Sequence, residues 1–297
     1  MSKWWLLSAA FVLWMVSGLA LVRLPADERI RSRSDQVPPR IVSMAPNLTE
    51  ILFALGLGER VVGVTQDSDY PAAAASKPRV GTFWQPGVEA VIALRPDLVV
   101  TLAFEQQQEF SRRLGRMGYS RLMVNIETIT GLFDAIVAVG KAAGASGQAE
   151  MLCANMRTEI NQIRSATASN QPVKVLWVVQ REPLRVAGRD TFVNEMIELA
   201  GGENAIGPTL HKYPPVGAEQ VIAARPEVII EPAMLPSVLD QQRRQALEYW
   251  NRFANVPAVT TGRIHVIDGD TVSRLSPRLP AGIRTIARCL RPDSFGE

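Results

Sequence analysis

The stretch Gly87-Val-Glu-Ala-Val-Ile-Ala-Leu-Arg-Pro-Asp-Leu-Val-Val returns 130 residues later as Gly217-Ala-Glu-Gln-Val-Ile-Ala-Ala-Arg-Pro-Glu-Val-Ile-Ile. Solenoids and propellers repeat at about 20–50 residues, so this spacing implies one supersecondary unit used once in each of two similar lobes. A second echo pairs Glu50-Ile-Leu-Phe-Ala-Leu-Gly with Glu195-Met-Ile-Glu-Leu-Ala-Gly, at an offset of 145. Two elements repeated in the same order imply duplicated lobes. Duplicated lobes imply a cleft between them, which is where small ligands bind.

The 297 residues suffice for two lobes of ordinary size. The repeat reads as a helix over 87–94, an Arg-Pro stop, and a strand over 98–101. That strand is apolar without alternation, as in a parallel strand covered on both faces. Strands at 40–43, 61–64 and 121–124, a loop at 44–47, and helices at 49–55 and about 105–117 complete an N-terminal α/β lobe over 40–144. Ala149, Leu152, Met156, Ile160 and Ile163 share one helical face, which predicts a long connecting helix over 145–168. A C-terminal α/β lobe follows over 169–297, with strands at 174–179 and 263–267 and helices at 191–202, 240–250 and 278–290. The expected fold class is α/β: two Rossmann-like lobes joined by one backbone helix, with the ligand cleft between them.

Lys3 leads into the uncharged run Trp4–Val22, a positive start before an apolar stretch that is the pattern of export. Gly18-Leu19-Ala20 fits a cleavage site, while the whole run is long enough to span a bilayer. Residues 1–22 therefore read as a cleaved signal or a retained inner-membrane anchor, and 23–39 as a polar linker. Either way the domain works outside the cytoplasm. A net charge of +3 with dispersed Arg and Lys argues against nucleic acid as a partner.

Phosphate loops, dinucleotide fingerprints and nucleophile elbows are absent. His211 and His265 are the only histidines, too few for a His-rich zinc site. No carboxylate pair stands out as acid and base. The reading names no catalytic residue, resident cofactor or bound metal. Cys153 sits at helical spacing beside Leu152 and Met156, as a buried apolar residue would, and the residues predict no disulfide with Cys289.

Five further segments stand out: Arg40-Ile-Val-Ser-Met-Ala-Pro-Asn-Leu-Thr-Glu50, Asp67-Ser-Asp-Tyr-Pro71, Gly201-Gly-Glu-Asn204, Asp268-Gly-Asp270 and Ser273-Arg-Leu-Ser-Pro-Arg278. With the repeat, their order and spacing resemble those of the periplasmic substrate-binding proteins of ABC importers for cobalamin, ferric siderophores and haem. The cobalamin-binding members are most similar. The resemblance implies capture of a cobalamin-type corrinoid by a monomer and delivery to a permease–ATPase complex. A ferric siderophore, haem, or service as a membrane-tethered sensor stand as alternatives. It implies that Glu89 and Glu219 dock onto permease arginines, beside the simpler role of an acid in a helix's first turn. It implies a ligand site of Ala45, Pro46, Asn47, Tyr70, Phe83 or Trp84, Tyr213, Asp270 and Arg274. Leu102 replaces an expected Trp. Ala200 replaces an expected Cys, leaving Cys289 without the partner usual in that group.

Overall fold

A computed structural model of the chain describes residues 37–168, 171–233 and 238–295. The apolar segment at 1–22 and all of the linker before residue 37 lie outside the described residues. The described residues from Pro39 onward form one compact unit.

The first sheet holds β1 (Ile41–Ser43), β2 (Val61–Gly63), β3 (Leu98–Leu102) and β4 (Arg121–Val124), all parallel, in the order β2-β1-β3-β4. The second holds β5 (Val173–Arg181), β6 (Leu184–Val186), β7 (Gly202–Asn204), β8 (Val228–Ala233) and β9 (Ile264–Asp268). Its parallel members run β7-β5-β8-β9, the same order as in the first sheet. β3 is buried at every residue, which explains its unbroken apolar run.

Helices α1 (Pro46–Ala54), α2 (Val88–Ala93), α3 (Glu105–Arg116) and α4 (Ile129–Ala142) belong to the first lobe. After the long α5 (Ser146–Thr167), the second lobe repeats them as α6 (Phe192–Leu199), α7 (Ala218–Ala224), α8 (Leu239–Trp250) and α10 (Leu279–Leu290), with a short extra helix α9 (Pro257–Thr260). The duplication reaches the backbone. α2 and α7 each give way to an Arg with left-handed φ, 46° at Arg95 and 48° at Arg225, just before the repeated Pro. Gly56 and Gly201, at φ of 74° and 81°, turn the chain out of α1 and α6, a conformation glycine adopts without Cβ strain.

α5 has 22 residues, about 33 Å of helix. Its buried face carries Ala149, Cys153, Met156, Ile160 and Ile163, with Leu152 half-buried. It packs on α4 and α10, the last helix of each lobe. One hydrophobic core runs without a break from Ile41, Ile51 and Val100 through α5 to Val175, Val228 and Ile283. Lobes that share a core move less freely than lobes joined by a linker. Cys153 and Cys289 are buried free thiols.

Three local readings of the sequence need correction. Residues 44–47 are not all loop, because the helix begins at Pro46, whose fixed φ suits a first turn and whose missing N–H costs nothing there. The helix expected over 191–202 stops at Leu199, and Gly202–Asn204 pairs in parallel with β5. β5 runs on to Arg181 and folds back through β6, an antiparallel hairpin with no counterpart in the first sheet. Both missed strands have three residues, too few to display an alternating pattern.

Candidate functional site

In open parallel sheets, ligands bind beyond the carboxyl ends of the strands. Two of the segments named from the sequence lie there, Ala45–Asn47 after β1 and Asp270 after β9, and Phe104 follows β3.

Around Tyr70 the two lobes meet through charge. Arg278, the residue just before α10, gives Glu50 of α1 a bidentate pair at 2.8 and 2.6 Å, and gives Asp270 Oδ2 a third bond at 2.6 Å. Its guanidinium lies 4.2 Å from the centre of the Tyr70 ring. Arg274 pairs with Asp270 through Nη2, and its Nη1 stands 3.7 Å from both Glu50 and Asp69. Burial pulls the Arg278 guanidinium down, but its hydrogen bonds to Glu50 and Asp270 carry it above the usual arginine value. Tyr70 is 46% exposed and presents its ring from this charged floor.

Buried hydroxyls hold the Tyr70 loop in place. Thr49 Oγ1 lies 2.8 Å from Ser43 Oγ and 3.0 Å from Ser68 Oγ, and Ser68 Oγ lies 2.9 Å from Thr65 Oγ1. Arg79 Nη1 donates to the carbonyls of Thr65 and Ser68 at 2.8 and 2.9 Å. All four hydroxyl-bearing residues are fully buried, where a satisfied polar network fixes one geometry.

A second aromatic group follows. Phe83 and Trp84 occupy a tight turn closed by Thr82 and Gln85. Phe83 packs edge-on against Trp84 at 4.8 Å and against Phe104 at 5.4 Å. Trp84 is the outer ring, 64% exposed, while Phe83 is half-buried against the core. Fully buried Gln107 ties the group together. Its Nε2 donates to Met44 O at 2.8 Å and Phe83 O at 3.3 Å, and its Oε1 accepts from Leu102 N at 2.8 Å.

On the second lobe, Tyr213 sits half-exposed in the loop between β7 and α7, where its carbonyl accepts from Arg185 at 3.3 Å. Burial raises its phenol, and Lys212 pulls it partway back. Lys212 reaches the other lobe to pair with Glu127 at 2.7 Å, a hydrogen bond that raises the ammonium. Tyr213 makes no ring contact with the other aromatics among the described residues.

Of the nominated residues, Tyr70, Asp270 and Arg274 thus form one cluster, and Phe83 and Trp84 another. Ala45 is fully buried and caps α1, with Pro46 and Asn47 half-buried in its first turn. Glu50, Phe104, Gln107 and Arg278 join these clusters without having been nominated. Glu50 and Arg278 lay inside quoted motifs, and Phe104 adjoined one strand end. Nothing in the sequence marked Gln107.

Glu89 and Glu219 are exposed in the first turns of α2 and α7. Glu89 pairs with Arg113 of α3 at 3.2 Å. Among the described residues, no group of three His, Cys, Asp or Glu could hold a metal ion, and no helix is long and apolar enough to cross a membrane.

The family described as periplasmic binding protein matches residues 41–271. The uncharacterized ABC transporter substrate-binding lipoprotein YvrC of Bacillus subtilis is 32% identical over 269 residues, covering 88% of this chain and 82% of that one. The vitamin B12-binding protein of Vibrio cholerae is 25% identical over 253 residues, 85% of this chain and 89% of that one. A periplasmic haem-binding protein from Pseudomonas aeruginosa superposes with a TM-score of 0.73 at 27% identity, covering 86% of this chain and 94% of the other. With its two α/β lobes and single long helix, the chain belongs to the periplasmic binding protein family, as a substrate-binding component of ABC importer type.

Proposed function

We propose that this protein captures a cobalamin-type corrinoid outside the cytoplasm, between Tyr70, Phe83, Trp84, Tyr213, Asp270 and Arg274, and delivers it to an ABC permease and its ATPase. Export begins at the apolar N-terminal run. Glu89 and Glu219 are the two feet that meet permease arginines.

One observation carries the choice among corrinoid, siderophore and haem. At the lobe boundary two guanidiniums, Arg274 and Arg278, contact three carboxylates, Glu50, Asp69 and Asp270. Both cations are already compensated and the cluster is net negative. An incoming carboxylate, such as a haem propionate, meets a net negative cluster whose one open donor is the buried Arg274 Nη1, 3.7 Å from both Glu50 and Asp69. The amide arms of a corrin carry no charge, donate as well as accept, and suit such a floor. Aromatic rings supply the apolar area that a broad macrocycle needs.

Titration calorimetry with cyanocobalamin, hemin and a ferric hydroxamate siderophore tests this reading. Cyanocobalamin is expected to saturate the protein with Kd below roughly 10 µM, or about −7 kcal/mol, and hemin to bind more weakly. Saturation by hemin or the siderophore, with cyanocobalamin inert, would reassign the cargo.

A further inference from the structure

Glu50 and Glu195 occupy the same place in α1 and α6, the duplicated first helices of the two lobes. Each carboxylate leaves its own lobe. Glu50 takes Arg278, the residue that caps α10, the last helix of the second lobe. Glu195 Oε2 accepts a 3.2 Å hydrogen bond from the backbone N–H of Ile129, the first residue of α4, the last helix of the first lobe. α4 and α10 are each the last helix of their lobe, so each duplicated Glu reaches the start of the equivalent helix in the other lobe. A flanking ion pair accompanies each one: Asp69 with Arg274 beside Glu50, and Glu127 with Lys212 beside Glu195.

The place is the same on both sides, the start of the opposite lobe's last helix, but Glu50 meets a side-chain guanidinium there and Glu195 a backbone N–H. A carboxylate is favoured at a helix amino terminus, where N–H groups lack partners and the helix dipole is positive. Both contacts run to the opposite lobe, although Glu195 also stands in the first turn of its own helix. Glu50 is 3% exposed, and an unpaired acid there would be costly. The strengths differ. Glu50 grips a guanidinium with both oxygens, whereas Glu195 holds one amide with one oxygen.

We propose that Glu50 and Glu195 are a matched pair of positioning residues that clasp the lobes together and set the width of the cleft before ligand enters. The Glu195 clasp is the weaker and releases first. The clasp stands on geometry alone; its effect on ligand retention rests on the corrinoid reading.

Spin labels at Ala90→Cys and Gln220→Cys, exposed positions on the two lobes, report the interlobe distance in the ligand-free full chain. Wild type should give one narrow distribution. Glu195→Ala should shift it to longer distance and broaden it, and Glu195→Gln, which keeps an acceptor oxygen, should restore it. Glu50→Gln should broaden it as well. Cyanocobalamin should leave Glu195→Ala about tenfold faster than wild type, the loss expected for one hydrogen bond to a charged group. An unchanged distribution in Glu195→Ala, or a Glu195→Gln variant that behaves like Glu195→Ala, would overturn the clasp. If the distances respond but cyanocobalamin does not bind the wild type either, the clasp stands and the corrinoid reading falls.

Discussion

His265 illustrates a residue whose environment, more than its chemistry, decides its effect. It lies on β9, paired with Ile230 of β8, and its Nε2 is buried without a hydrogen-bond partner among the described residues. Burial, with Arg263 nearby, holds the imidazole below its usual 6.5. The unfolded chain therefore takes up a proton first as pH falls. Stability from this residue is present above about pH 6.5 and is lost as the pH drops toward the depressed folded value. His265→Gln should flatten the fall in melting temperature between about pH 7.5 and about pH 5.5, as followed by circular dichroism. An equal slope in both proteins would remove His265 from the account. Glu231 shows the opposite balance: burial raises its carboxyl, while Trp250 Nε1 at 2.6 Å and Arg181 at 3.4 Å draw it back down.

At the scale of elements, the long helix and the repeated helix–strand unit were legible because their signals are periodic or duplicated. α5 announces itself through Ala149, Leu152, Met156, Ile160 and Ile163 at three- and four-residue steps. β6 and β7 did not, since three residues carry no period and owe their pairing to a neighbour far along the chain. Tyr70, Asp270 and Arg274 were legible through motif, whereas Gln107 was not, because a glutamine in the first turns of a polar helix reads as a solvated residue. Its function depends on β1, β3 and the Phe83 turn meeting above it, which only the fold arranges. Gln107→Leu should strand the Leu102 N–H in the interior at a cost of about 1–3 kcal/mol. Urea unfolding measures that loss. Cyanocobalamin affinity should weaken beside it as the Phe83–Trp84 wall loosens. Full affinity in the variant would make Gln107 a fold residue only.

At the scale of the whole molecule, duplication supplies two exposed acids on equivalent helices, Glu89 and Glu219. Their proposed role separates docking from capture. The double variant Glu89→Arg with Glu219→Arg should abolish uptake in cells while calorimetry finds ligand affinity unchanged. Lost affinity would mean that the acids serve the cleft instead. In that proposed role Glu89 would give up Arg113, an exposed pair worth about 0.2–1 kcal/mol, a small internal competitor.

The buried anchors Thr49 and Gln107 have an evolutionary consequence. They grip mostly backbone and hydroxyl groups beneath the Tyr70 loop and the Phe83 turn, while the outward rings of Tyr70 and Trp84 pack instead on Arg278 and Phe83. Residues such as Trp84 and Tyr70 can then be exchanged by mutation without disturbing either sheet. A scaffold organised this way can change its cargo one surface residue at a time, which fits relatives named for vitamin B12 and for haem that keep the same architecture.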